Sequence, residues 1–146
     1  MMSSALLRTG HFRMLAFLRR ATAVWGLMMI AETLHGIARR LMLEPFVGDL
    51  RARRIAVFTG SVIVFAIAFV FVRWLKGDRR SDYLAAGVLW VGLTVVFEVM
   101  LGRLAMGMPW AALLADYDII HGGLMPLGLI VMFLSPFAAA WLTDEI

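Results

Sequence analysis

A chain of 146 residues has room for one domain, and 62% of this one is hydrophobic while only 16% is charged. Soluble domains carry about 45–50% apolar residues, and so small a chain cannot hide the excess from water, so an ordinary soluble fold and a disordered chain are both excluded. The lack of cysteine removes disulfide scaffolds and thiolate sites, and the net charge of +4 comes from short basic clusters between apolar runs, a pattern of membrane flanks and not of a nucleic-acid-binding face.

Residues 1–20 are basic and weakly amphipathic, with Arg8, Arg13, Arg19 and Arg20, and are expected to lie on the membrane surface. Met14 would open an equally sensible chain. Residues 21–142 form the expected membrane domain, and 143–146 a short polar tail. The first apolar run, 21–38, is interrupted by Glu32, Thr33 and His35. Val24, Leu27, Ile30, Leu34 and Ile37 contribute about −0.3 to −0.6 kcal/mol each, which offsets little more than one central charge at about +2.5 to +3.5 kcal/mol. This helix therefore needs partners to stay inserted. A cleaved signal peptide is the competing reading, but Glu32 and His35 fall in what would be its apolar core.

The connection 39–54, with Glu44-Pro45 and Gly48-Asp49, reads as turn-prone. The second run, 55–72, is free of charge and flanked by Arg53, Arg54 and Arg73; its β-branched residues predict a helix all the same, because an isolated segment in lipid must satisfy its own backbone. A polar turn at Gly77-Asp78 leads to the third run, 83–102. Pro109-Trp110 followed by Ala111, Ala112, Leu113 and Leu114 predicts a short interfacial helix. The fourth run, 119–142, contains Pro126 and Pro136, both expected as kinks. Eight basic residues fall on the side of the termini against six opposite, which places both termini in the cytoplasm.

Ionisable groups inside such spans are costly and mark function by default. Glu32, His35 and Arg39 are spaced to share one helical face; Thr94, Glu98 and Gly102 make a second stripe; Asp118 and His121 repeat the acid-histidine spacing, just after Asp116 and Tyr117. The first and third helices run toward the same membrane face and the fourth starts from it. Glu32, His35, Arg39, Glu98, Arg103, Asp118 and His121 are thus expected to gather in one leaflet.

Several chemistries fit. The turn Glu32-Thr33-Leu34-His35 resembles the Glu-x-x-His turn of di-iron bundles, so Glu32, His35, Glu98, Asp118 and His121 are candidate metal ligands, although the set falls short of four carboxylates and two histidines. In a proton or ion relay, Glu32, His35 and Glu98 exchange protons while Arg39 or Arg103 holds a compensating charge. Arg39, Arg103 and the Pro109-Trp110 segment suit an anionic headgroup or a polar small molecule. Alternatively, buried Glu-Arg and Glu-His pairs simply lock helix register. The eleven methionines are scattered and read as adaptable packing; His11 reads as a surface residue. No phosphate-binding loop, dinucleotide fingerprint, nucleophile elbow or zincin motif occurs, which leaves hydrolytic catalysis unsupported.

The runs Phe97-Glu98-Val99-Met100-Leu101-Gly102, Pro109-Trp110 with Leu113-Leu114-Ala115-Asp116-Tyr117, and Ala31-Glu32 with His35-Gly36 resemble those of small bacterial four-span inner-membrane proteins of unassigned function. The resemblance implies a bacterial inner membrane and no activity. The expectation is an all-α integral membrane four-helix bundle with a polar pocket for a proton, ion or small polar ligand. The alternatives are an accessory or assembly subunit of a membrane complex and a metal-dependent membrane enzyme. The lipid bilayer is the expected partner, with a homodimer or a larger complex open and nucleic acid excluded.

Overall fold

A computed structural model of the chain describes the backbone of residues 2–146 and the side chains from residue 9 onward; Met1 and the Arg8 side chain lie outside that range. The described residues form helices α1 (Met2–Ala38), α2 (Glu44–Val47), α3 (Asp49–Leu75), α4 (Arg80–Met100), α5 (Trp110–Ala115) and α6 (Met125–Leu142). Four segments are long and apolar enough to cross a membrane: Thr9–Val47, Asp49–Leu75, Arg80–Ala105 and Met125–Leu142. The protein is an all-α membrane bundle. Large apolar side chains such as Ile30, Val62, Val70 and Val88 stay exposed on its outer face, where lipid, not water, is the compatible solvent.

Several boundaries differ from those the sequence suggests. The basic N-terminal stretch is continuous with the first span in one helix, α1. The connection 39–54 is almost wholly helical. A wide π turn, Arg39–Leu43, runs into α2, and the only break before α3 is Gly48, whose φ of 81° is strained for any residue with a Cβ. A second π turn, Leu101–Ala105, extends α4 past its expected end.

The fourth span starts at Met125, not at residue 119. The Asp118 carboxylate accepts from the Ile120 and His121 N–H groups and closes a single 3-10 turn, which Gly122 ends at φ 97°. Pro126 therefore lies in the first turn of α6, where its missing N–H costs nothing, and only Pro136 sits inside the helix. The short helix expected after Pro109 appears as α5, with Pro109 at its N-cap.

The spans pack as a ring in the order α1, α3, α6, α4, each touching its two neighbours. Val24 and Met28 of α1, Val64, Ala68 and Val72 of α3, Trp90 of α4, and Met132 and Ala139 of α6 form the core. Two tryptophans supply its polar links. Trp90 Nε1 donates to the Ala21 carbonyl at 2.8 Å, and Trp25 Nε1 donates to Thr94 Oγ1 at 2.9 Å. Thr94 in turn donates to Met132 Sδ at 3.1 Å, so one chain of hydrogen bonds crosses α1, α4 and α6. Trp74 and Trp141 are exposed at one end of the bundle and Trp110 at the other, as interfacial anchors require.

The tightest approach is between α4 and α6. A Cβ on Gly87 would lie 2.2 Å from the Phe133 carbonyl oxygen, and that backbone cannot yield without moving a helix. Gly87→Ala is expected to cost about 1–3 kcal/mol and to lower the thermal midpoint of the detergent-solubilised protein. Gly92→Ala, which meets nothing within 4 Å, should leave the midpoint unchanged or raised. Equal midpoints for Gly87→Ala and the parent chain would contradict this packing.

Candidate polar site in the membrane

Glu32 and His35 lie one turn apart near the end of α1, where α1 packs on α3. Their facing atoms, Glu32 Oε2 and His35 Nδ1, are 3.6 Å apart. On α3, Gly60 makes room for the carboxylate: a Cβ there would fall 2.9 Å from Glu32 Oε2. Beside it, Thr59 Oγ1 lies 2.8 Å from His35 Nε2. The Thr59 hydroxyl donates to the Ile55 carbonyl at 3.1 Å, so its oxygen is left to accept from the imidazole. That arrangement puts a proton on His35 Nε2 and turns Nδ1 toward the carboxylate. Glu32 and His35 can then share a further proton between them.

Glu98 enters from α4, one turn beyond Thr94, and lies within electrostatic range of Glu32 and of Asp116. Tyr117, in the loop after α5, is in range of Glu98 and Asp116 as well. Burial pushes the Tyr117 phenol above its ordinary value, and the Glu98 and Asp116 carboxylates add to the effect. Among the described residues, two buried side-chain polar atoms have no hydrogen-bond partner, Glu32 Oε1 and Tyr117 Oη.

The loop that carries Tyr117 is fixed by both backbone and charge. Leu113 of α5 packs where Gly102 has no side chain, and Gly123 lies against the Ala115 and Asp116 carbonyls. The Asp116 carbonyl also accepts from Met125 N at 3.1 Å, joining the loop to the start of α6. Arg53 Nη1 reaches Asp116 Oδ1 at 3.3 Å while its Nε holds Asp49 at 2.9 Å, so α3 is tied to the loop.

The expected constellation is thus assembled in part. Glu32 and His35 face each other, and Glu98 lies within electrostatic range of Glu32. Arg39 does not join them, because its guanidinium turns to Glu44 and Asp49, each at 3.5 Å. Arg103 donates to the Met108 carbonyl at 2.8 Å and lies 5.0 Å from the Trp110 ring centroid, an interfacial cation–π contact outside the cluster. Asp118 and His121 pair with each other at 2.6 Å, with the histidine side chain 80% exposed. Among the described residues, no group of three or more His, Asp or Glu side chains is arranged to hold a metal ion.

Sequence reasoning missed Thr59, Gly60 and Arg53. The available signal was Thr59-Gly60-Ser61, a small and polar step in a span otherwise rich in Ile, Val and Phe. Small residues in membrane helices mark where a neighbour comes close.

Tyr117 gives a direct readout of the cluster. Its phenolate absorbance, obtained as the difference between the parent chain and Tyr117→Phe, is expected to rise at a higher pH than that of an ordinary phenol. A phenol whose pKa is raised on folding contributes its full stability below the unfolded value and loses it as pH climbs through the folded one. Alkali should therefore destabilise the parent chain more than Tyr117→Phe, and an ordinary titration would contradict the burial described. No protein-family model, curated protein or solved structure matches this chain, so its chemistry rests on its own residues.

Proposed function

We propose that this multi-pass membrane protein takes up and passes protons or a small cation at the cluster of Glu32, His35, Glu98 and Tyr117. The observation that carries the reading is the pair of buried, unpartnered oxygens, Glu32 Oε1 and Tyr117 Oη, on either side of Glu98 in the chain of electrostatic neighbours. An unsatisfied polar atom away from water is expensive and rarely kept without a use. A carboxylate with one free oxygen and an imidazole at its other oxygen can hold a proton in two places, which is the minimum a relay needs. Thr59 faces the ring at 2.8 Å, and Arg53 holds Asp116 and with it the loop that carries Tyr117.

The same protein fits the inner membrane of a bacterium with both termini in the cytoplasm, by the resemblance and the basic-residue count given above. A second reading, an accessory subunit of a membrane complex, draws on a different observation. Arg39, Glu44, Asp49, Arg53 and Asp116 satisfy one another and bind helix ends together, which is what register-fixing charges do.

Proton flux into vesicles reconstituted with the purified chain separates the two. The relay reading expects Glu32→Gln and Glu98→Gln each to lower flux by about a hundredfold, the usual worth of one positioned proton-transfer group, while Glu44→Gln leaves it near the parent value. A parent chain with no flux above empty vesicles, together with a constant membrane partner on affinity purification, would favour the accessory subunit instead.

A further inference from the structure

The other end of the bundle carries a separate polar feature. Where α1 passes the turn between α3 and α4, a groove of about 250 Å³ is lined by Gly10, Arg13, Met14 and Phe17 on one side and by Lys76, Asp78, Arg79, Ser81 and Asp82 on the other. Positions 10, 13, 14 and 17 are one face of α1. The groove holds three cations and two carboxylates, and both carboxylates are already engaged. Asp78 pairs with Arg13. Asp82 accepts from the Asp78 and Arg79 backbone N–H groups at 2.9 and 3.1 Å, which caps α4. Lys76 and Arg79 are left with no carboxylate in ion-pair range among the described residues.

We propose that this groove binds the phosphate headgroup of an anionic phospholipid, with Lys76 and Arg79 as its ligands. Location decides for a lipid over a soluble anion. Trp74, exposed two residues before Lys76, marks the depth at which headgroups lie. Met14 and Phe17 give the groove an apolar floor, with Phe17 buried against the core and Met14 exposed beside it. The site is at the opposite end of the bundle from Glu32 and Glu98 and does not rest on the relay.

The test is retention of lipid by the purified full chain, read by native mass spectrometry after reconstitution in phosphatidylcholine doped with phosphatidylglycerol. Each cation near an anionic lipid is worth about a fivefold preference. The parent chain should retain phosphatidylglycerol over phosphatidylcholine. Lys76→Gln and Arg79→Gln should each cut that preference about fivefold, and Arg54→Gln at the far end should not. No preference in the parent chain overturns the proposal, and so does an undiminished preference in both variants. Inorganic phosphate is titrated against the same proteins in detergent. Protection from thermal unfolding that depends on Lys76 and Arg79, without any lipid preference, would show a soluble-anion site and overturn the lipid assignment. Lys76→Gln alone is sufficient for the test if the Arg79 substitution disturbs the start of α4.

Discussion

The contact of Gly87 with the Phe133 carbonyl sets the spacing on which the rest of the bundle depends. In lipid there is little hydrophobic force between helices, so association comes from close packing and from interhelical hydrogen bonds. With α4 and α6 in backbone contact, Thr94 reaches Met132, and Trp25 of α1 reaches Thr94. One turn further along α4, Glu98 is thereby held within electrostatic range of Glu32. The acid cluster is a result of that spacing and not an independent feature of the two carboxylates.

Charges near this end of the protein divide into two kinds. Arg39, Arg53, Glu44, Asp49 and Asp116 form a mutually satisfied set that joins α1, α2, α3 and the loop after α5. Glu32, Glu98 and Tyr117 are not satisfied in that way, although they sit beside it. Gly60 lets the Glu32 carboxylate lie against bare backbone, with His35 Nδ1 3.6 Å from Oε2.

The four spans and the short helix after Pro109 were legible in the sequence, because length in hydrocarbon and a proline at a helix start are local signals. That Glu32 and Glu98 lie toward the same end of the bundle was legible too, since it follows from the alternating direction of the spans. Arg39 and Arg103 were misplaced for a common reason. Each finds partners in the segment that follows it, Arg39 in Glu44 and Asp49 and Arg103 in the Met108 carbonyl and the Trp110 ring, and helical spacing does not reveal these. The start of α6 was hidden by a side-chain cap, as Asp118 spends its carboxylate on the turn it belongs to. Thr59 left only the small polar step Thr59-Gly60-Ser61 as a trace, because its role arises when α3 is placed against α1.

The two π turns, Arg39–Leu43 and Leu101–Ala105, have a further consequence. Each takes up one residue more than an α turn does, at the same end of the molecule and just beyond a helix that carries an acid. The loss of a single residue in either would return the turn to ordinary pitch and leave the four-span core in place. A one-residue deletion is accordingly absorbed at those two places, while the same deletion beside Gly60 or Gly87 would turn the close helix contacts out of register.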